Sequence, residues 1–196
     1  MPEKLCDEMT KESPNYSEQL AGVMWKKEAD LKKDRNSKVK WYPLDHWIVP
    51  KLCEIASKIN NEEYMFDVTN LQCPQFTEYK KGQHYTWHTD GPGCCHNSAR
   101  KSSVLHKSDA LHYTQQTNLL GTVRKISISA ILNDDYKGGE LQFRTLSPTG
   151  QLEESSVACK TGDIIVFPSY LHHRVKPITK GVRYSIVAWY GGPPFK

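Results

Sequence analysis

Tyr85-Thr86-Trp87-His88-Thr89-Asp90-Gly91-Pro92-Gly93 is the stretch on which the reading of this chain turns. Aromatic and β-branched residues run up to a Gly-Pro-Gly break, the composition of a short strand that ends in a turn. On an extended strand alternate residues share a face, so Thr86, His88 and Asp90 point one way while Tyr85, Trp87 and Thr89 point the other. His88 and Asp90 then converge on one point near the strand end. Alone the pair says little, because a surface histidine beside a turn aspartate has the same sequence.

Two later segments give it weight. In Leu171-His172-His173-Arg174-Val175 the same alternation lets one histidine face inward, and the apolar Val175 shares its face with His173, which favours His173 over His172. The last β-rich run, Val182 to Tyr190, carries Arg183 ten residues past His173, on one face with Ser185, Val187 and Trp189. A guanidinium on so apolar a strand is costly unless an anion meets it. The competing reading is an exposed strand end paired with a surface carboxylate. Two imidazoles and one carboxylate are the ligand set of a non-haem Fe(II) site, with three adjacent coordination positions left open. Those positions suit a bidentate cosubstrate and O₂, and Arg183 offers a two-pronged donor for the cosubstrate's far carboxylate.

Outward from these segments the chain is mainly β. Short β-rich runs cover 64–68, 75–79, 85–90, 124–132, 140–143, 155–159, 164–167, 171–175 and 182–190, broken by turn signals such as Lys81-Gly82, Gly138-Gly139 and Thr161-Gly162-Asp163. Their number and spacing predict a double-sheet jelly roll with supporting N-terminal helices. One helix is expected from Ser17 as N-cap, with Leu20, Met24, Lys27 and Leu31 at helical spacing and an end near 34–37. A second begins near Pro50, turns Leu52, Ile55, Ala56 and Ile59 to one face, and closes at Asn60-Asn61. Residues 1–16, polar and with two prolines, read as a mobile or surface-wrapped tail, leaving 17–196 as a single domain. Residues 93–122 read as a long lid or binding loop in which His96, His106 and His112 are solvent-exposed.

Composition narrows the function classes. With 196 residues, 38% hydrophobic and 24% charged, the chain has the make-up of a soluble globular domain with one buried core. A net charge of +4 fits a solvated surface better than a nucleic-acid footprint. No apolar run reaches membrane-spanning length, and the amino-terminal residues lack a signal-peptide core, so a cytoplasmic location is expected. The six cysteines then read as reduced thiols, and Cys94-Cys95-His96 as part of the loop rather than as a zinc site.

Taken in order, several motifs resemble the 2-oxoglutarate and Fe(II)-dependent dioxygenases of the prolyl 4-hydroxylase-like group, including small microbial and viral hydroxylases. They are Tyr79-Lys80-Lys81-Gly82-Gln83 ahead of Trp87-His88-Thr89-Asp90, then Ile131-Leu132-Asn133 and Gly138-Gly139-Glu140-Leu141. Gly162-Asp163, Phe167-Pro168-Ser169, His173-Arg174-Val175-Lys176-Pro177, Gly181-Val182-Arg183 and Trp189 follow. The resemblance spans roughly residues 34–190. It implies a double-stranded β-helix, iron ligands at His88, Asp90 and His173, and Arg183 on the C5 carboxylate of 2-oxoglutarate. Tyr79 resembles a tyrosine beside the cosubstrate and Trp189 a tryptophan flanking the same pocket. The hydroxyl that assists Arg183 would come from Tyr79 or Ser127. Tyr85, Trp87 and the 93–122 loop are expected to shape the substrate mouth. The implied reaction couples decarboxylation of 2-oxoglutarate to succinate and CO₂ with hydroxylation of a prolyl or other amino-acid side chain. O₂ is the co-reactant, L-ascorbate a supporting reductant, and the expected assembly a monomer or weak dimer.

Three other readings compete. Oxidative demethylation of nucleic acid would rest on Arg100, Lys101 and Lys107 alone, without interleaved aromatics for base stacking. A non-catalytic cupin-like metal protein has no use for Arg183. A zinc hydrolase would want a general base near the metal, and the sequence shows none.

Overall fold

The computed structural model describes residues 1–13, 33–91 and 122–195, together with the backbone of Gln19–Leu20. The β-rich runs form antiparallel strands. In chain order these are β1 (Gln19–Leu20), β2 (Lys38–Trp41), β3 (Asn70–Leu71), β4 (Gln75–Tyr79), β5 (Tyr85–His88), β6 (Val123–Ile131) and β7 (Lys137–Gly138). They continue as β8 (Leu141–Leu146), β9 (Leu152–Val157), β10 (Ile164–Pro168), β11 (His172–Val175), β12 (Ile178–Lys180) and β13 (Arg183–Gly192). A major sheet runs β1-β2-β4-β13-β6-β10, with β3 also on β13, and a minor sheet runs β5-β11-β8-β9. The two sheets form the expected jelly roll.

The central strands of the major sheet are buried on both faces, and alternation sorts their residues. Ile126, Ile128 and Ala130 of β6, with Ile186 and Ala188 of β13, join one apolar cluster with the helices α1 (Glu3–Glu12) and α2 (Ile48–Ile59). The intervening residues, among them Ser127, Ser129, Arg183 and Ser185, turn to the other face. A second apolar cluster of Tyr79, Leu141, Phe143, Phe167 and Val175 fills part of the space between the sheets. Burying serines and an arginine there is unfavourable for a barrel built only to pack, and it marks the interior as a binding volume.

Three local expectations change. Residues 3–12 are not a tail but α1, in which Cys6 and Met9 are fully buried. The polar composition hides a narrow apolar stripe three residues apart, which docks on the sheet beside Tyr42, whose hydroxyl donates to the Met9 carbonyl at 3.3 Å. Gln19–Leu20 pair with Val39 and Lys38 as a strand rather than opening a helix at Ser17, and residues 21–32 lie outside the described residues. The run at 64–68 makes no strand. The second helix ends in a π-turn, Asn60–Tyr64, with Met65 left-handed at φ 50°, and the Asn60 side chain bonds both the N–H and the carbonyl of Phe66.

The helix α2 begins two residues before Pro50, which needs no N–H partner in the first turn, and buries Leu52 and Ala56 as the spacing predicts. The 93–122 loop, with His96, His106, His112, Cys94 and Cys95, lies outside the described residues but for Thr122. No helix among the described residues is long and apolar enough to cross a membrane.

If α1 is part of the core, Met9→Ala should cost about 2–4 kcal/mol, as other large-to-small core substitutions do. Urea unfolding followed by circular dichroism measures it; a change under about 0.5 kcal/mol would mean the helix is not docked.

Candidate metal centre

Strand β5 lies at the edge of the minor sheet, paired to β11 with His88 opposite His173 and Tyr85 opposite Val175. Three steps along β5 therefore match two along β11, a bulge that reverses the alternation. Tyr85 consequently shares the face of His88, its ring stacked on the imidazole with centroids 3.4 Å apart, where unbroken alternation had put it opposite. Trp87 stays on the other face. The guanidiniums of Arg144 and Arg174 lie over its ring, at 4.1 and 4.5 Å, on the face away from the metal ligands.

His88, Asp90 and His173 come together with their donor atoms all within 4.8 Å of one another. The Nε2 atoms of His88 and His173 stand 3.7 and 3.5 Å from the Asp90 oxygens. His172 is exposed on the outer face, so the inward histidine is His173. Each inward imidazole donates its Nδ1–H to the carbonyl two residues earlier, Thr86 at 2.7 Å for His88 and Leu171 at 2.9 Å for His173. That fixes the tautomer and leaves both Nε2 lone pairs facing Asp90.

The carboxylate is held as firmly. Ser127 donates to Asp90 Oδ2 at 2.7 Å and lies 2.9 Å from the Ser169 hydroxyl, while the Asp90 and Gly91 amides donate to the Ser169 carbonyl. Ser127 thus serves Asp90 and not Arg183, contrary to one of the two sequence expectations. Burial, with His173 close by, pushes His88 down to about 3, so its imidazole is neutral. Burial opposes the charge on Asp90, but the neighbouring histidines, the Arg124 guanidinium and the Ser127 hydroxyl outweigh it and hold the carboxyl below the usual carboxylate range. An ionised carboxylate beside imidazole Nε2 atoms is a donor set for a divalent cation.

Arg183 is 1% exposed, and no carboxylate meets it among the described residues. Its Nη1 donates to Ser185 Oγ at 2.8 Å, the Tyr136 hydroxyl sits beside it, and its guanidinium lies 5.8 Å from the Tyr79 ring centre. Its Nε has no hydrogen-bond partner among the described residues. Room for the stem comes from Gly139, at φ +68°, where a Cβ would press on Ile178, Arg183 and Tyr136. At the other end of β13, Trp189 is buried under the Arg124 guanidinium at 4.0 Å, opposite Ser127 in register. Its indole Nε1 has no hydrogen-bond partner.

Sequence reasoning missed Ser185 and Tyr136 as partners of Arg183. Ser185 was within reach of it, two residues on along the same face; Tyr136 comes from a loop with no periodicity. The residues fit the cofactors that this donor set implies. Two nitrogens and one oxygen suit a first-row divalent ion, and a buried guanidinium with an orphaned N–H suits an organic acid.

The family model described as the 2OG-Fe(II) oxygenase superfamily matches residues 74–191, more than half of the chain. The chain belongs to the 2OG-Fe(II) oxygenase superfamily. Among relatives of this oxygenase, a PKHD-type hydroxylase of Alteromonas mediterranea is 28% identical over 116 residues, covering 59% of this chain and 42% of the relative. A PKHD-type hydroxylase of Xylella fastidiosa is 31% identical over 119 residues, with 59% and 43% covered. The oxygenase thus matches about two fifths of the length of these curated relatives.

In fold it is similar to a Pseudomonas putida prolyl-4-hydroxylase, with TM-score 0.64, 18% identity, and 97% of this chain and 88% of that chain covered. The viral collagen prolyl hydroxylase of Paramecium Bursaria Chlorella virus-1, in its 2OG complex, gives 0.62 at 18% identity, with 98% and 92% covered.

Ser127→Ala should weaken binding of Mn(II) or Co(II) by about tenfold, because it removes the bond that orients Asp90. His172→Ala should leave that affinity unchanged. Titrations in which the His172 variant loses metal and the Ser127 variant keeps it would reverse both assignments.

Proposed function

We propose that this chain is an Fe(II)- and 2-oxoglutarate-dependent hydroxylase acting on a prolyl side chain of a peptide or protein. His88, Asp90 and His173 hold the iron. Arg183, with Ser185 and Tyr136, holds the far carboxylate of 2-oxoglutarate, and Tyr79 walls the same end. The observation that carries this reading is Arg183, a buried guanidinium with no acid of its own on the barrel face that also leads to Asp90 through Ser127. Leaving that charge unmatched is strongly unfavourable, so the site is built to receive an acid.

When bound, iron and 2-oxoglutarate supply the oxidising chemistry, using O₂ to form succinate and CO₂ and to place one oxygen atom in a C–H bond. The protein's part is to bind, orient and exclude water. Two imidazole Nε2 donors and one carboxylate would hold the metal and leave coordination positions for cosubstrate and O₂. Phe167, whose ring lies 4.7 Å from that of His173, and Phe143 close the inner wall with apolar surface. The Arg183 fork fixes one end of 2-oxoglutarate so that its other end reaches the metal. Tyr85 stacks on the His88 imidazole and Trp189 lies under Arg124 in register with Ser127, aromatic surroundings that suit an apolar ring such as proline. The PKHD-type hydroxylases and prolyl hydroxylases similar to this chain support the same substrate class. Cys6, Cys53, Cys73 and Cys159 are free thiols, which supports a reducing, cytoplasmic setting.

The test is succinate release from 2-oxoglutarate, with mass-spectrometric detection of a hydroxylated product in a panel of proline-containing peptides. His88→Ala should abolish succinate formation. Arg183→Met should raise the 2-oxoglutarate concentration needed for half-maximal rate by about a hundredfold, the usual scale for losing one partner of a buried charged pair. An Arg183→Met protein that works normally at low 2-oxoglutarate would remove the assigned role.

A further inference from the structure

Trp87 faces away from the metal, yet it immediately precedes His88 on the strand that brings the first ligand. We propose that Trp87, held by Arg144 and Arg174 against its ring, is a positioning residue that sets where His88 stands relative to His173. The inference rests on the reading that His88, Asp90 and His173 hold iron.

The need for such a device follows from the topology. Strand β5 is four residues long and lies at a sheet edge, with β11 as its one strand neighbour among the described residues. Two positions pair across the β5–β11 bulge, and among the described residues the other side of β5 carries a single isolated bridge, from Arg35 to Tyr85 at the far end from His88. A short, bulged edge strand is the least constrained element in a sheet. A ligand histidine carried on it needs support from its side chains.

The outer face supplies that support. Arg144 of β8 and Arg174 of β11 lie against the Trp87 ring, their Cζ atoms 4.1 and 4.5 Å from its centre. Both guanidiniums are tethered independently of the indole: Glu154 of β9 bonds the two, and Arg174 Nε also donates to Gln142 at 2.7 Å. Arg144 Nε is buried and has no hydrogen-bond partner among the described residues, while its Cζ stands over the ring. One cation comes from the strand that carries His173 and the other from the strand beyond it. The indole therefore ties the backbone next to His88 to the two strands that place His173. Cation–aromatic contacts of this kind tolerate exposure and need no partner on the indole nitrogen.

Anaerobic titration of the metal-free full chain with Co(II) alone, followed by visible absorption, tests the inference. Thermal melting of the same metal-free samples is the companion readout. Trp87→Leu keeps apolar bulk but offers no face to a cation, and it should weaken Co(II) binding by about tenfold, the scale for lost support of a ligand. Its metal-free melting temperature should stay within a few degrees of wild type. Trp87→Phe retains an aromatic face and should bind within about twofold of wild type. The double variant Arg144→Gln/Arg174→Gln, which leaves Trp87 in place, should match Trp87→Leu and stands in for it if that protein does not fold.

The inference is overturned if Trp87→Leu binds Co(II) as wild type does. Equal weakening in the Leu and Phe variants overturns it too, as does a loss of affinity that only tracks a lowered melting temperature. His88→Ala separates the two levels of argument: if that variant still binds Co(II) normally, the metal-site reading fails, and not merely the role of Trp87.

Discussion

Two imidazoles and a carboxylate with their donor atoms all within 4.8 Å of one another, inside a barrel and largely out of water, are the constraint that organises this protein. Such a group is stable only if its protonation states are settled and something charged completes it. The chain settles them with its own backbone. Each histidine gives its Nδ1 proton to the carbonyl two residues back, and the Asp90 carboxylate is tied by Ser127, whose hydroxyl meets that of Ser169. What remains is one carboxylate and two imidazole Nε2 atoms facing one another, which a divalent cation completes.

The second unsatisfied charge is Arg183, and one strand relates it to the first. Strand β13 carries Arg183, Ser185 and Trp189 on a single face, with Trp189 in register with Ser127. Neighbouring β6 brings Ser127 to that same face and, through it, Asp90. A strand buried on both faces is an effective ruler, because its other side is locked by Ile186 and Ala188 against the helices. Packing on one side of the major sheet thereby fixes chemistry on the other.

Much of this could be read in the sequence, for reasons that are local. Strand β4 and the main body of β6, β10 and β13 follow from β-branched runs between glycine turns, and the choice of His173 followed from Val175 sharing its face. Parity failed where the sheet itself departs from parity. The bulge in β5 arises from pairing with β11, which no residue in 85–90 announces, and it moved Tyr85 onto the metal face. Trp87 stayed on the outer face that alternation gave it, where a pocket role does not follow. The helix α1 was hidden because charged residues dominate its composition and only Cys6 and Met9 reach the core. Tyr136 was hidden because a loop places it, next to a glycine whose value lies in the space it leaves around Arg183.

X-ray absorption on the anaerobic Fe(II)-loaded protein tests the central claim most directly, because it counts the atoms around the metal. The account predicts nitrogen and oxygen donors without sulfur, with the multiple-scattering signature of two imidazoles that falls to one in His173→Ala. A shell containing cysteine sulfur, or an imidazole count that does not change in that variant, would contradict it.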